Sequence, residues 1–390
     1  MGRHRARLGT AAALLTALGL LAGCGGSEYT PAGPWQPQLD GPPPAVAPPE
    51  DAQPLPEDPS DPSAPSGPSD PDAPDPNVVA TDLDTPWGLA LLPDGSAIVG
   101  ERRTGRILQV FPDAAAPVVL MTVAGLEVTG DGGLLGLALS PAYLEDGLVY
   151  AYATTAADNR ILRFTLGGTP KPIVTGIPKG ATGNGGRIAF GPDELLYVGT
   201  GDTGDPALAA DPVSLAGKVL RYDIFGTPEP LPGTPGSPVW TRGHSNVTGL
   251  CFDGADRLFT TETGQPGDEF NLLSADGDFG WPDPTTGTDP VGSFADAGLG
   301  GCGILGRAAY FGSLTGEELV SVVLDGNGAL VGEPETYLDG RYGRLRSVVV
   351  DPLGVLWLTT SNLDGPGEPD PDDDRVLRIL APTDGGEEVT

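Results

Sequence analysis

Two loops rich in carboxylates are the first residues of this sequence whose type and spacing could do chemistry. Asp202 and Asp205 stand in GTGDTGDP, and GEPDPDDDR carries acidic residues from Asp370 onward. Such a density of oxygen ligands could hold calcium, although solvated loop carboxylates are the commoner outcome of this pattern. The sequence contains no phosphate-binding loop, nucleophile elbow or histidine-rich metal motif.

Histidine and cysteine are scarce. The two histidines are His4 and His244, and His4 lies in a segment that we predict to be removed. Histidine-dependent hydrolases and zinc sites are therefore nearly excluded. Beyond the N-terminal segment the cysteines are Cys251 and Cys302. An exported domain with two cysteines favours a disulfide over a metal site, and isolated buried thiols are the alternative.

An apolar strand, a turn rich in Pro, Asp and Gly, and a second apolar strand recur after Asn77. With 60 Gly, 43 Pro and short apolar runs, the composition favours an all-β protein. Successive copies start 44 to 62 residues apart, which suits one four-stranded blade per repeat. The copies begin at Gly88, Gly136, Arg187, Gly249, Gly303 and Ser347.

These copies predict an all-β fold, a six-bladed β-propeller at residues 77–382. The segment NVVATDL, residues 77–83, could add a strand to the last blade and so close the ring. A pair of β-sandwiches is the alternative, and the regular spacing argues against it. We expect residues 24–76, rich in Pro, Asp and Ser, to be a disordered linker, and residues 383–390 to be a disordered tail.

The N-terminus has the pattern of an export signal at residues 1–23. Arg3, Arg5 and Arg7 precede an apolar run that is too short for a membrane span. The run ends in LAGC, which resembles a bacterial lipobox and predicts lipidation of Cys24. An ordinary signal with a chance cysteine is the alternative. We therefore predict an extracytoplasmic, membrane-anchored bacterial lipoprotein, on the cell surface or in the periplasm.

The net charge of −32 limits the partners. Nucleic acid and anionic lipid are poor partners for so acidic a surface, so we expect no nucleic acid and membrane contact through the N-terminal lipid alone. The sequence leaves the oligomeric state open.

Several short motifs together carry a family resemblance from about Val78 to Leu380. Their order and spacing resemble those of the soluble quinoprotein glucose/sorbosone dehydrogenases, although each motif alone is weak. This resemblance implies a six-bladed propeller that uses pyrroloquinoline quinone (PQQ) and calcium to oxidise aldose sugars. The motifs are PWGLALLPDG, GDGGLLGLALSP, GNGGRIAFGPD, DPVSLAGKVLRYD, RGHSN, GDEFNLL, DFGWP and GRLRSV.

The resemblance also shows what is missing. The family's general base, a histidine that takes the proton of the sugar C1 hydroxyl, corresponds to Gly183 here. His244 matches a family histidine that is not the base, and we interpret it as structural. Loss of a general base lowers the rate by about 10² to 10⁴ and leaves the fold intact. Asp131 matches a sugar-contacting position and is our candidate for a relocated catalytic base, with a turn-capping aspartate as the alternative.

The cofactor positions implied by the resemblance are mixed. Asn246, Arg344 and Arg346 match residues that hold PQQ, and alternation would place both arginines on one strand face. Ordinary salt bridging in a very acidic protein is the alternative for the arginines. Ser245 and Thr315 stand where the family has cations. Losing two charge-assisted bonds to the quinone carboxylates is expected to weaken binding by about 10² to 10⁴.

The calcium loop of the family is altered as well. Its TEHGP reads TETGQ here, and the backbone carbonyls of Gly264 and Gln265 could still bind calcium. We predict a degenerate or sugar-binding member of the family. An active PQQ- and calcium-dependent aldose oxidoreductase and a non-catalytic structural or interaction propeller are the alternatives. PQQ and calcium are expected if the activity is retained, and otherwise no cofactor or calcium alone.

Overall fold

The computed structural model describes residues 74–264, 267–366 and 369–382. These residues form six four-stranded antiparallel sheets and two helices of four residues each, which confirms the predicted six-bladed propeller. The predicted signal, Cys24, the linker up to residue 73, Gln265 and the tail lie outside the described residues. Asp75 already contacts the propeller, because it accepts hydrogen bonds from Arg341 and Tyr342.

The strands follow the chain around the ring. After β1 (Val78–Ala80), blade 1 holds β2 (Pro86–Leu91), β3 (Ala97–Glu101), β4 (Arg106–Val110) and β5 (Val118–Thr122). Blade 2 holds β6 (Leu134–Leu139), α1 (Tyr143–Asp146), β7 (Leu148–Thr154), β8 (Asn159–Thr165) and β9 (Lys171–Ile177). Blade 3 holds β10 (Ile188–Phe190), β11 (Leu196–Gly199), α2 (Ala207–Ala210), β12 (Lys218–Tyr222) and β13 (Val239–Arg242).

The second half repeats this arrangement. Blade 4 holds β14 (Val247–Phe252), β15 (Leu258–Glu262), β16 (Asp268–Leu272) and β17 (Gly292–Phe294). Blade 5 holds β18 (Leu299–Leu305), β19 (Ala308–Ser313), β20 (Glu318–Leu324) and β21 (Leu330–Tyr337). Blade 6 holds β22 (Leu345–Val350), β23 (Val355–Thr360) and β24 (Val376–Leu380).

The ring closes through β1. This strand pairs antiparallel with β24, with Val78 opposite Leu377, so the N-terminal segment completes blade 6 as predicted from NVVATDL. The first strand of each blade faces the central channel; we call β2, β6, β10, β14, β18 and β22 the inner strands. Neighbouring inner strands contact each other around the whole ring, including β2 against β22. Closure of this kind removes free sheet edges.

Apolar side chains fill the space between neighbouring blades. Tyr150 and Tyr152 of blade 2 are fully buried together with Ile188 of blade 3, and the Tyr150 ring packs edge-on against Phe190 at 4.9 Å between centroids. Cys251 and Cys302 form a disulfide with a Cα–Cα distance of 5.7 Å. This disulfide joins β14 to β18 and therefore links blades 4 and 5. It confirms the predicted pairing of the two cysteines.

Five inner strands carry a bulge where they begin. The pairing register shifts near the start of β2, β6, β14, β18 and β22. Bulges redirect side chains and are common next to functional sites. All five occur at the same end of the channel, which we call the upper face: the face on which the inner strands begin. Within the described residues, no helix has the length and apolar character needed to cross a bilayer.

Candidate functional site

Gly183 lies on the upper face, in the loop that leads into β10. Its φ of 66° is left-handed, and a Cβ built on it would lie 2.8 Å from Oδ1 of Asp202. The carboxylate of Asp202 therefore occupies the space next to the position at which the resemblance implies a histidine. The loop is held in place by Asn184, which is 1% exposed and bonds to both the N–H and the C=O of Gly180.

Asp131 lies on the other side of this loop. The Nδ2 of Asn184 donates to Oδ1 of Asp131, and the N–H of Asp131 donates to the carbonyl of Ala181 at 3.1 Å. Burial raises the pKa of Asp131, against the hydrogen bonds from Asn184 and the Gly183 backbone. Two carboxylates, Asp131 and Asp202, therefore flank Gly183.

Asp202 is buried, with 7% of its surface exposed. Its Oδ1 accepts the N–H of Gly204 at 2.8 Å, and its Oδ2 accepts the indole N–H of Trp281 at 2.9 Å. The expectation of a solvated loop carboxylate is therefore wrong for Asp202, because an indole from blade 4 covers it. Asp205 is exposed, as expected for a solvated loop carboxylate.

The segment before β14 continues the upper face. The carbonyl of Ser245 accepts the N–H of Asp202 at 2.7 Å. Oδ1 of Asn246 accepts the N–H of Gly185 at 2.8 Å, and its Nδ2 donates to Oγ1 of Thr263 at 2.8 Å. Asn246 thus connects the Gly183 loop to the predicted calcium loop. Both polar atoms of its side-chain amide form hydrogen bonds within the protein.

The predicted calcium residues are placed only in part. Gly264 lies next to Ser245, since a Cβ on Gly264 would clash with the Ser245 hydroxyl oxygen. Its N–H donates to Asp268 at 3.2 Å. In the part of the chain that the structure describes, no three His, Cys, Asp or Glu side chains group together as metal ligands. A calcium site here would therefore depend on backbone carbonyls.

Three arginines converge on the opposite side of the upper face. Oδ2 of Asp364 forms ion pairs with Arg102 at 3.2 Å and with Arg346 at 3.4 Å. All three side chains are largely buried, with at most 14% of their surface exposed. Arg344 and Arg346 both reach Ser361, through its carbonyl at 3.0 Å and its hydroxyl at 2.8 Å. The structure thus brings the two predicted cofactor arginines together.

Arg102 connects this cluster to Asp131. Its Nη1 donates to the carbonyls of Gly130 and Gly132, each at 2.9 Å, and these two glycines flank Asp131. Its Nε is buried and has no hydrogen-bond partner among the described residues. Sequence reasoning missed Arg102 and Asp364. The one available signal was the placement of Arg102 directly after β3, in GERRTG, where a strand of each repeat ends.

The charges of this cluster are unbalanced. Burial opposes ionisation of Asp364, yet Arg346, Ser361 and Arg102 together hold its pKa below the ordinary value. Burial lowers the pKa of Arg346, and Asp364 counteracts that effect. Among the described residues, Arg102 and Arg346 form ion pairs with Asp364 alone. Asp131 and Asp374 act on them without an ion pair, and burial raises the pKa of both carboxyls, which leaves positive charge in excess. Such a place favours an anion.

His244 does not face this site. It is fully buried, its Nε2 lies 2.7 Å from the Thr241 hydroxyl, and its Nδ1 lies 2.7 Å from Glu262 Oε1. Its ring stacks on Phe279 with 4.8 Å between centroids. Burial opposes ionisation of Glu262, but His244 and the hydrogen bonds from Asn271 and Thr260 lower its pKa. These contacts support a structural role for His244.

The remaining predicted positions are also located. Thr315 is exposed, and its neighbour Leu314 accepts a hydrogen bond from Nη1 of Arg344 at 3.1 Å. In the second acidic loop, Asp373 pairs with Arg375 at 3.3 Å, and Asp374 accepts the N–H of Asn362. The expectation of solvated loop carboxylates is therefore wrong for Asp373 and Asp374 as well, because both are buried against Arg375 and the Asn362 backbone.

Comparison with protein families and known proteins gives consistent matches. The family model described as glucose/sorbosone dehydrogenase matches residues 83–298. The chain is 43% identical to the PQQ-bound form of an aldose sugar dehydrogenase from Streptomyces coelicolor, with a TM-score of 0.74 over 77% of this chain and 95% of that one.

Two further relatives extend this picture. A putative oxidoreductase (glucose dehydrogenase) from Thermus thermophilus is 38% identical, with a TM-score of 0.72 over 78% of this chain and 98% of that one. Quinoprotein glucose dehydrogenase B from Acinetobacter calcoaceticus is 29% identical over 249 residues, which are 53% of this chain and 52% of that protein. The chain spans between 52% and 58% of the length of the first curated relatives that it matches.

Proposed function

Because the chain belongs to the glucose/sorbosone dehydrogenase family, we propose that it binds PQQ and a sugar-type ligand on its upper face but oxidises the ligand poorly. The observation that carries this proposal is Gly183, which offers no side chain at the base position and has the Asp202 carboxylate beside it. The one histidine among the described residues is enclosed by Thr241 and Glu262. Without a base, oxidation is expected to fall by about 10² to 10⁴.

The arginine cluster fits the quinone. PQQ carries three carboxylates, and when bound in this family it accepts the hydride of the sugar C1. Arg344, Arg346 and the newly found Arg102 would hold these carboxylates through charge-assisted hydrogen bonds. The buried Nε of Arg102, which lacks a partner among the described residues, supports this assignment. Arg102 also offsets part of the binding loss expected from Ser245 and Thr315.

The sugar-type ligand would meet the two carboxylates beside Gly183. A carboxylate accepts hydrogen bonds from sugar hydroxyls, and Asp131 is rigidly held by Asn184 for such a role. Asp202 is held by Trp281 and Gly204. If calcium binds, the backbone carbonyls of Gly264 and Gln265 remain the proposed ligands.

A spectroscopic titration tests the binding part of the proposal. The purified chain is mixed with PQQ and calcium, and the change in quinone absorbance is followed without requiring turnover. Saturable binding with one quinone per chain is expected. Absence of binding at millimolar PQQ would contradict the proposal and would favour a structural or interaction propeller instead.

A second candidate function is an active aldose oxidoreductase that uses a carboxylate base. The observation that favours it is the pair of carboxylates that flank Gly183, together with the burial that raises the pKa of Asp131 and so makes it a better proton acceptor. If the wild type oxidises aldoses, Asp131→Asn and Asp202→Asn made separately will show which carboxylate removes the proton. Loss of kcat in one variant, with PQQ affinity unchanged, identifies the base.

We also propose that Cys24 is lipidated and anchors the propeller to a membrane outside the cytoplasm. LAGC at residues 21–24 supports this proposal. Residues 24–73 would then act as a stalk, since their composition favours extended chain.

A further inference from the structure

Below the upper face, the central channel is a cavity that the proposed function does not use. It has a volume of about 390 Å³ and is lined by all six inner strands. This volume lies within the range of small-molecule sites, about 300 to 1,000 Å³. We call it the lower channel; its walls are formed by Leu89–Leu91, Leu137–Leu139, Arg187–Ala189, Leu250–Phe252, Cys302–Ile304 and Val348–Val350.

The walls are apolar apart from one charge: aliphatic side chains predominate, and the Cys251–Cys302 disulfide and Phe252 line the channel with them. Arg187 is 8% exposed and lines the lower channel. Its Nε donates to the carbonyl of Thr248 at 2.9 Å, and its Nη2 donates to the Ser347 hydroxyl at 3.0 Å. Its guanidinium carbon lies 4.2 Å from the centroid of the Trp87 ring. One side chain from blade 3 thus reaches blades 1, 4 and 6.

These contacts place the guanidinium at the upper, closed end of the lower channel. Thr248 and Trp87 each lie two residues before the wall segments of their own strands, and Ser347 lies one residue before. Since the inner strands begin at the upper face, Arg187 closes the channel from that side. The apolar walls extend away from it for three residues on five inner strands, and for Ile188 and Ala189 on β10.

The charge of Arg187 has no protein counter-ion. Within the described residues, no carboxylate forms an ion pair with its guanidinium, and the nearest charged influence is the like charge of Arg346. Burial and Arg346 lower the pKa of Arg187 to about 9, so the group is still charged at neutral pH. A buried charge without a counter-ion is unfavourable, and an anionic ligand would relieve that cost.

We propose that the lower channel binds an unbranched aliphatic carboxylate, with its head group on the Arg187 guanidinium and its chain along the apolar walls. The Nη1 of Arg187 donates to no partner in the described part of the chain, which leaves N–H groups for a carboxylate. Three residues of strand span about 10 Å. That is roughly the length of an extended eight-carbon chain with C–C bonds of about 1.5 Å.

Isothermal titration tests this site on the Cys24→Ser chain recovered outside the membrane fraction, so that neither a lipid anchor nor a detergent competes for the channel. The probes are hexanoate, octanoate, decanoate, octan-1-ol and octyltrimethylammonium. We expect octanoate to bind one to one, and affinity to rise about fourfold per added methylene up to the channel length. Octan-1-ol should bind at least tenfold more weakly, and octyltrimethylammonium should not bind.

Arg187→Met removes the charged guanidinium and keeps an unbranched apolar side chain that reaches as far as the arginine Nε. We expect it to abolish the preference for octanoate over octan-1-ol, while Arg103→Met, a change at an exposed arginine paired with Asp84, leaves that preference intact. If Arg187→Met does not fold, the head-group series on the wild-type residue decides alone. Equal binding of octanoate and octan-1-ol would overturn the proposal. Displacement of octanoate by PQQ would also overturn it, because Arg187 would then belong to the site on the upper face.

Discussion

Placing a histidine at residue 183 should restore the missing proton acceptor, and asparagine is its matched control. Both residues tolerate left-handed backbone better than other side chains, so each can adopt the φ of 66° found at Gly183. Each also brings a Cβ to 2.8 Å from Asp202 Oδ1, which must move aside. We expect both variants to lose a similar free energy of unfolding, about 1 to 2 kcal/mol.

The two variants should differ in catalysis. An imidazole at residue 183 would lie against Asp202, whose carboxylate could accept its N–H and orient the ring, as carboxylates do for catalytic histidines. The expected gain in kcat is about 10² to 10⁴ for histidine over asparagine. Because quinone affinity must not limit the measurement, both are made together with Ser245→Arg and Thr315→Lys, which add two cations. At limiting PQQ, Gly183→His alone is expected to give little activity, because Ser245 and Thr315 leave the quinone weakly held.

Dye-linked oxidation of glucose and other aldoses, at saturating PQQ and calcium, measures the difference. Thermal unfolding of both triple variants checks that they are equally folded, and quinone titration checks that they are equally loaded. Equal rates in the histidine and asparagine variants would refute the assignment of residue 183 as the vacated base position.

Further predictions concern the arginines, the buried carboxylate, the disulfide and the anchor. Arg102→Met should weaken PQQ binding by about tenfold or more through loss of a charge-assisted bond, whereas Arg103→Met should not, as quinone titration would show; equal effects would remove Arg102 from the site. The pKa of Asp131 is raised in the fold, so its ionisation destabilises the protein as pH rises through the folded pKa. Asp131→Asn should therefore increase stability to denaturant more at pH 7 than at pH 4, and a uniform effect would argue against that burial. Cys251→Ala with Cys302→Ala opens a link across a sequence separation of 51 residues and should lower the free energy of unfolding by about 4 kcal/mol; an unchanged urea midpoint would speak against this. Cys24→Ser should release the chain from the membrane fraction or leave its signal uncleaved, and unaltered fractionation and processing would show that Cys24 is not lipidated.

Periodicity was sufficient to predict the propeller. Each blade repeats the same apolar strands and turns, so the six inner strands could be located from the starts at Gly88 through Ser347, and NVVATDL could be recognised as the closing strand. The bulges at the start of five inner strands left no such trace. These inner strands are largely buried on both faces, so their apolar residues do not alternate and one extra residue leaves no break in the pattern.

The site was predictable where one position decides the chemistry and unpredictable where distant residues meet. Gly183 could be identified from its motif alone. The burial of Asp202 depends on Trp281, 79 residues away along the chain. The Arg102–Asp364 ion pair forms because ring closure brings blades 1 and 6 together. Local sequence in an acidic loop cannot reveal either contact, since both are made by the closed ring.

The rate of aldose oxidation by the wild-type chain, at saturating PQQ and calcium, tests the central claim most directly. The quinone titration is run on the same preparation, so that a protein without bound quinone is not mistaken for one without a base. We predict bound quinone together with dye reduction no faster than the protein-free background. Robust oxidation of glucose or another aldose by the wild type would contradict the claim that Gly183 has left the site without an effective base.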